Sequence, residues 1–400
     1  MQTETIHFRA TLQGLQLRLA GTALASLALV GAGTLVLRNY WEPGYALRWG
    51  GITTAAVLLL LWVFWRYLPE NHPPSHTHAL FTDFGLPNLL TYWRGFLVAC
   101  TAGFLFSPRP LDGLQWLPGV LFSLGILPDY FDGYLARVTG RTSQLGEFLD
   151  VAVDSLAVFT GTLLVVTWEL VPVWYLLVGL ARYLFLAGIW IRERLHKPVF
   201  PLPTSLSRRA LAGTQMGFLM VLLWPLFGPP ATVIAAYFFA IPFLLNFTRD
   251  WLFVSGVIKP NPEGKPLTLP AAFTRWLPLA LRLVVVLGLG EVLLRWSAAF
   301  QPLAAALGRL GVQLPVLFLG LLLLLTALVL ICTAIGAMGR TMAVLALCLT
   351  GIFLQAGAYE LLPAVLIALS SALLLFLGSG AFSAWTPEQV LFERRAGDVN

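Results

Sequence analysis

Long apolar runs separated by short polar stretches fill most of this chain. Leu19–Leu37 and Ala46–Leu68 come first. The run ending in Phe96–Phe106 follows, then Trp116–Leu127, Phe148–Trp168, Pro172–Ile191, Leu211–Phe227 and Ala231–Phe247. Trp276–Leu294, Leu314–Ala334, Met342–Ala358 and Leu361–Ala381 complete the series. A spanning helix needs about 20 predominantly apolar residues, and most of these runs come near that length. They lack the period-2 alternation of half-buried strands. A bilayer interior also leaves no unpaired backbone group tolerable outside a helix or a closed barrel. The pattern predicts an all-α polytopic membrane protein. Trp41, Trp49, Trp62 and Trp65 sit near the ends of the first two runs, where an aromatic belt would place them.

Two proline-rich breaks interrupt the series. Residues 69–78 read PENHPPSHTH, and residues 256–274 contain four prolines; both are read as linkers. The expected organisation is a two-helix segment at 1–70, a six-helix core at 77–255, about four membrane helices at 270–385 and a polar tail at 386–400. His72, His76 and His78 lie in the first linker. The prolines give them no common helical face, so a solvated loop is expected there rather than a metal site.

The composition agrees with a membrane solvent. The 400 residues are 58% hydrophobic and 11% charged, against about 25% charged in a soluble domain. The net charge of +6 is spread over loops, which fits orientation in a membrane and contact with anionic lipid heads. It does not suggest nucleic acid. Cys100, Cys332 and Cys348 lie in apolar runs without metal or disulfide spacing and are read as packing residues. The first apolar run is long and is followed by Arg38; a spanning helix is expected there, not a cleaved leader.

Against this background one stretch stands out: Asp129 to Asp154, DYFDGYLARVTGRTSQLGEFLDVAVD. Asp129 and Asp132 are spaced i, i+3, and Asp150 and Asp154 i, i+4, so on helices each pair shares a face. Four carboxylates turned to lipid would cost on the order of 10 kcal/mol even on a lenient insertion scale. They must face each other, water or cations. Hard oxygen donors without Cys or His suit Mg2+, Mn2+ or Ca2+ rather than zinc. A pair of divalent ions on shared carboxylates is a device for displacement at phosphorus. Arg137 can fork onto phosphate oxygens, and Gly133 and Gly146 leave the backbone open to a bulky ligand.

The stretch is similar to the signature of the CDP-alcohol phosphotransferase family, D-x2-D-G-x2-A-R-x8-G-x3-D-x3-D. Asp129, Asp132, Gly133, Ala136, Arg137, Gly146, Asp150 and Asp154 fill its fixed positions. The resemblance implies a membrane transferase. Its donor would be CDP-diacylglycerol or another CDP-alcohol, its acceptor an alcohol hydroxyl, and its leaving group CMP. It implies Mg2+ or Mn2+, two ions in the family's mechanism, on Asp129, Asp132, Asp150 and Asp154. Asp154 would also take the proton of the attacking hydroxyl, and Gly133, Arg137 and Gly146 would lie on the CDP diphosphate. Upstream, Pro87, Asn88, Leu90, Thr91 and Arg94 match a second motif of the family. The resemblance places Asn88 and Thr91 on the nucleotide side. The alternative for this segment is a polar helix start with a snorkelling arginine.

Arg182, expected to be buried in its helix, and Arg208 and Arg209 at the end of the basic loop 192–209 are similar to basic residues on the acceptor-phosphate side of some members. A positive-inside loop explains them equally. With the loop at 138–146 in the cytoplasm, most basic residues fall on that side, which predicts an inner (plasma) membrane enzyme of a bacterial type with a cytoplasmic site. Leu145–Leu156 also resembles the branch that transfers phosphocholine or phosphoethanolamine to diacylglycerol. A lipid carrier without chemistry is the remaining class, and a homodimer is allowed. The last third of the chain resembles, in pattern, DoxX-like four-helix membrane proteins; no function is carried over from that.

Overall fold

The structure, a computed structural model, describes residues 2–73, 80–129, 139, 141–202, 206–258, 271–295, 301, 304–305 and 315–385. Helices account for all the regular structure among them. In chain order they are α1 (Gln2–Leu37), α2 (Pro43–Arg66), α3 (Gly85–Ala102), α4 (Leu117–Ile126), α5 (Gln144–Thr167) and α6 (Leu176–Arg194). They continue with α7 (Leu206–Leu223), α8 (Ala231–Val254), α9 (Ala271–Leu294), α10 (Pro315–Ile335), α11 (Gly339–Gln355) and α12 (Leu361–Leu377). Among the described residues, 7 helical spans are long and apolar enough to cross a membrane. Their outer faces carry exposed apolar side chains such as Leu24, Trp62, Leu184, Leu287 and Leu324, which only a lipid solvent leaves without a large cost. The chain is an integral membrane protein.

One cluster of buried side chains runs from α1 to α8 and includes Leu15, Val57, Phe64, Tyr92, Leu149 and Leu219. A second, with Val285, Leu322, Ala346, Phe353 and Ile367, belongs to α9–α12. Between the two bundles, Phe238 of α8 meets Phe376 of α12, with ring centroids 6.4 Å apart.

α1 begins well before Leu19, where the apolar run starts. Its first half is polar, yet Leu15 and Leu19 are buried and Leu12 packs on the core. This i, i+3, i+7 stripe gives the polar half one apolar face. Ser26 Oγ lies 2.8 Å from Tyr92 OH, which ties α1 to α3. In the second bundle, Arg282 is buried, and its guanidinium donates to the carbonyls of Thr333 and Ala334 at the end of α10 and of Ser379 and Ala381 beyond α12. Helix ends leave such carbonyls without intrahelical partners, so one cation closes two chain ends.

The segment after α2 departs from the expected solvated loop at His72, which is buried. Its ring nitrogens lie 2.9 Å from the Pro73 carbonyl and 3.2 Å from Glu70 Oε2. Its own carbonyl accepts from Gln144 N at the start of α5. These polar partners let the ring be buried without a metal. His76 and His78 lie outside the described residues.

Candidate active site

Midway along α3 sits Arg94, a lone guanidinium in an apolar helix. Such a group must find anions or carbonyls inside the protein. It does: Arg94 is only 2% exposed, and its Nη2 lies 2.7 Å from Asp129 Oδ1. Nη1 donates to Asp150 Oδ1 and Nη2 to Asp154 Oδ1, both at 3.1 Å. Nε donates to the Gly125 carbonyl of α4 at 3.2 Å. The arginine therefore does not snorkel; its planar fork gathers acids from two segments that are far apart in sequence. Asp150 and Asp154 are one turn apart on α5 and present the same face, as their spacing predicts. Asp129 arrives from just beyond α4.

Close helix packing makes this convergence possible. A Cβ on Gly95 would come within 2.8 Å of both Leu60 of α2 and Val153 of α5. The bare glycine beside Arg94 thus lets α5 lie near enough for its aspartates to reach the guanidinium. The start of α5 is fixed separately. Ser143 is its N-cap, and the Ser143 hydroxyl accepts from Gly146 N at 3.0 Å, as such caps do. The buried Asn88 of α3 donates through Nδ2 to Ser143 Oγ at 3.0 Å and to Asn71 Oδ1 at 3.2 Å. Asn71, fully buried, in turn donates to the Asp83 carbonyl. The strap after α2, the start of α3 and the start of α5 are one hydrogen-bonded unit.

One carboxylate oxygen from each of Asp129, Asp150 and Asp154 lies within 4.8 Å of the others. Oxygen ligands at about 2.0–2.6 Å from a hard divalent ion span just such separations. The Arg94 guanidinium stands among them where a cation belongs. The three carboxylates are 43%, 44% and 34% exposed, so the cluster is accessible although Arg94 is not. Donor chemistry, spacing and access all fit a divalent metal site.

The other expected residues distribute as follows. Asp132, Gly133 and Arg137 lie outside the described residues. Asn88 and Thr91 are both buried, and Thr91 Oγ1 donates to the Pro87 carbonyl. Gly146 is in van der Waals contact with Asn88: a Cβ there would lie 2.5 Å from Asn88 Oδ1. Arg182 was expected to be buried; it is exposed on α6. Arg208 opens α7 and donates through Nε to Asp250 Oδ2 of α8 at 2.8 Å, and Arg209 is its neighbour in α7. At the start of α3, Arg141 pairs with Asp83, beside a cavity of about 560 Å3 that also takes in Arg18 of α1 and Thr139.

Two residues in these clusters had no role in the sequence reading. Arg94 was a motif position only, although a single arginine inside an apolar helix is itself a signal of buried partners. Asp250 is buried near the end of α8 and holds Arg208 and Arg249. It follows Arg249 just beyond the apolar run Ala231–Phe247, where it looked like part of a polar helix end.

Comparison with known proteins bears on residues 84–247, which match the family model described as CDP-alcohol phosphatidyltransferase. A cardiolipin synthase candidate of Mycobacterium tuberculosis is 31% identical over 142 residues, 34% of this chain and 64% of that protein. The CDP-diacylglycerol–glycerol-3-phosphate 3-phosphatidyltransferase of Blochmanniella floridana is 31% identical over 98 residues, 22% of this chain and 49% of that protein. The Bacillus subtilis protein of the same name is 28% identical over 116 residues, 26% of this chain and 60% of that protein. The chain thus spans between about half and just under two thirds of the length of these relatives. No solved structure matches.

Proposed function

Because residues 84–247 match the CDP-alcohol phosphatidyltransferase family model, we propose that this protein moves a phosphatidyl group from CDP-diacylglycerol to an alcohol and releases CMP. The observation that carries the proposal is the convergence of Asp129, Asp150 and Asp154 on one buried cation. Mg2+ or Mn2+ bound there, with Asp132 as a further ligand, would neutralise the diphosphate and the charge that develops on departing CMP. The acceptor oxygen forms a bond to the phosphorus that carries the diacylglycerol. The bond from that phosphorus to the CMP oxygen breaks, and the hydroxyl proton leaves to a base. Asp154 is assigned as that base by resemblance to the family. Asp129, Asp132 and Asp150 hold metal, and Asp154 shares an ion with them. Arg137 clamps the diphosphate and Gly133 lies on the nucleotide side, while Asn88 and Gly146 act by fixing the start of α5.

The acceptor is proposed to be phosphorylated. Arg208 and Arg209 at the start of α7, with Arg182 on α6, supply positive charge for it, and Asp250 holds the Arg208 guanidinium by Nε. The relatives from Blochmanniella and Bacillus are named for glycerol 3-phosphate, a compound of that class. The proposal puts the site on the cytoplasmic side of a bacterial inner membrane, a reading that the basic loops support through the positive-inside rule.

The test is metal dependence in purified protein. CMP release should stop in EDTA and return with Mg2+ or Mn2+, and Asp150→Asn should remain inactive at any metal concentration. Full turnover in chelator would refute the proposed chemistry.

A further inference from the structure

The proposed reaction gives Arg94 no step, yet Arg94 is the most deeply buried charge in the site and touches three of its acids. We propose that Arg94 is a built-in counter-ion that holds Asp129, Asp150 and Asp154 together without metal and competes with the divalent ion for the same oxygens. This inference rests on the reading of the triad as a metal site. Its function would be to set how tightly the site holds metal.

Three observations carry it. The contacts are made to Oδ1 of all three aspartates, so any ion that recruits those oxygens meets the guanidinium field at contact range. The two cations also differ in access: Arg94 is 2% exposed, whereas Asp150 is 44% exposed. An ion can therefore reach the carboxylates without passing the arginine. Finally, Arg94 offsets part of the cluster's charge. Three carboxylates and one guanidinium leave a charge of −2 in the described cluster, to which the proposed ligand Asp132 adds one more. Without Arg94 the same oxygens would present −3 and attract that ion more strongly. They would also repel one another in its absence, because like charges at such separations oppose convergence.

A merely structural arginine would behave differently, which makes the inference testable on the full-length protein in detergent. Mn2+ binding is titrated by electron paramagnetic resonance for wild type, Arg94→Met and Arg94→Lys, and each apparent Tm is measured in EDTA and in saturating Mn2+. Methionine keeps much of the length and apolar stem but removes the charge. Arg94→Met should bind Mn2+ about tenfold more tightly, since one opposing charge has gone from a partly screened site. Its Tm should fall in EDTA and recover largely in Mn2+, giving a metal-induced rise greater than that of wild type. Arg94→Lys keeps the charge but cannot fork to three acids; it should shift both readouts in the same direction by less. If Arg94→Met does not fold, Arg94→Lys decides.

Unchanged or weaker Mn2+ binding in the variants, or an equal Tm loss with and without metal, would overturn the role given to Arg94. Wild type that binds no Mn2+ at all would instead refute the metal reading beneath it. The two failures are thus distinguishable.

Discussion

Gly146→Ala is a one-carbon change whose cost can be worked from neighbouring atoms. The new Cβ would lie 2.5 Å from Asn88 Oδ1 and 3.3 Å from Ser143 Oγ, well inside contact distance. Asn88 cannot simply rotate away. It is buried, and its Nδ2 is held by Ser143 and Asn71. Moving it sacrifices hydrogen bonds worth about 1 kcal/mol each. Leaving it in place forces α5 outward, and overpacking of this kind costs about 1–3 kcal/mol. Alanine returns about 1 kcal/mol through helix propensity. The net loss should be about 0–2 kcal/mol, which leaves Gly146→Ala about 1–3 kcal/mol less stable than an alanine that gains the same propensity without the clash. It falls one helical turn before Asp150, so the triad should loosen as well. The assay compares apparent Tm and CMP release of Gly146→Ala with Gly217→Ala, whose Cβ would meet nothing within 4 Å. Gly217→Ala should match wild type or exceed it in stability. If Gly146→Ala were as stable and as active as Gly217→Ala, the lock between α3 and α5 would not be what positions the acids.

Three other outcomes follow from the same geometry. Asp154→Asn, assayed at saturating Mg2+ or Mn2+, should lower kcat by about 10²–10⁴-fold, the usual worth of a general base, with the CDP-lipid still bound; near-normal kcat would leave the base unassigned. Arg208→Ala should raise KM for a phosphorylated acceptor far more than KM for the CDP-lipid, and equal effects on both would remove Arg208 from the acceptor side. A chain ending at Ile258 should keep metal-dependent CMP release in detergent, because α9–α12 pack around their own core; a folded but inactive truncation would make those helices part of the site.

The helices and the shared face of Asp150 and Asp154 were legible in the sequence for a simple reason. Apolar run length reports directly on a spanning helix, and the spacing of Asp150 and Asp154 fixes their common face. What faces what was harder to read. In a membrane the outward surface is as apolar as the core, so hydrophobic periodicity does not separate the lipid side from the protein side. Arg182 illustrates this: it sits in a run apolar all round and turned out to be exposed. The partners of Arg94 were hidden differently. Asp129, Asp150 and Asp154 lie far along the chain from it, and no local pattern pairs residues from separate helices. His72 looked like part of a polar loop because prolines and polar residues surround it. Its burial depends on Glu70 and on the start of α5, which only the folded chain brings near. The true start of α1 was masked because its polar half buries only one narrow stripe.

The central claim concerns one bond, the phosphoanhydride of a CDP-linked lipid. Purified full-length protein, incubated with CDP-diacylglycerol labelled in the cytidine, Mg2+ or Mn2+ and glycerol 3-phosphate among a panel of alcohols, should release labelled CMP. It should form phosphatidyl product in equal amount, only when metal and an acceptor are both present. Release of no CMP with any acceptor, from protein that is folded and binds Mn2+, would contradict the account and leave a lipid-binding membrane protein in its place.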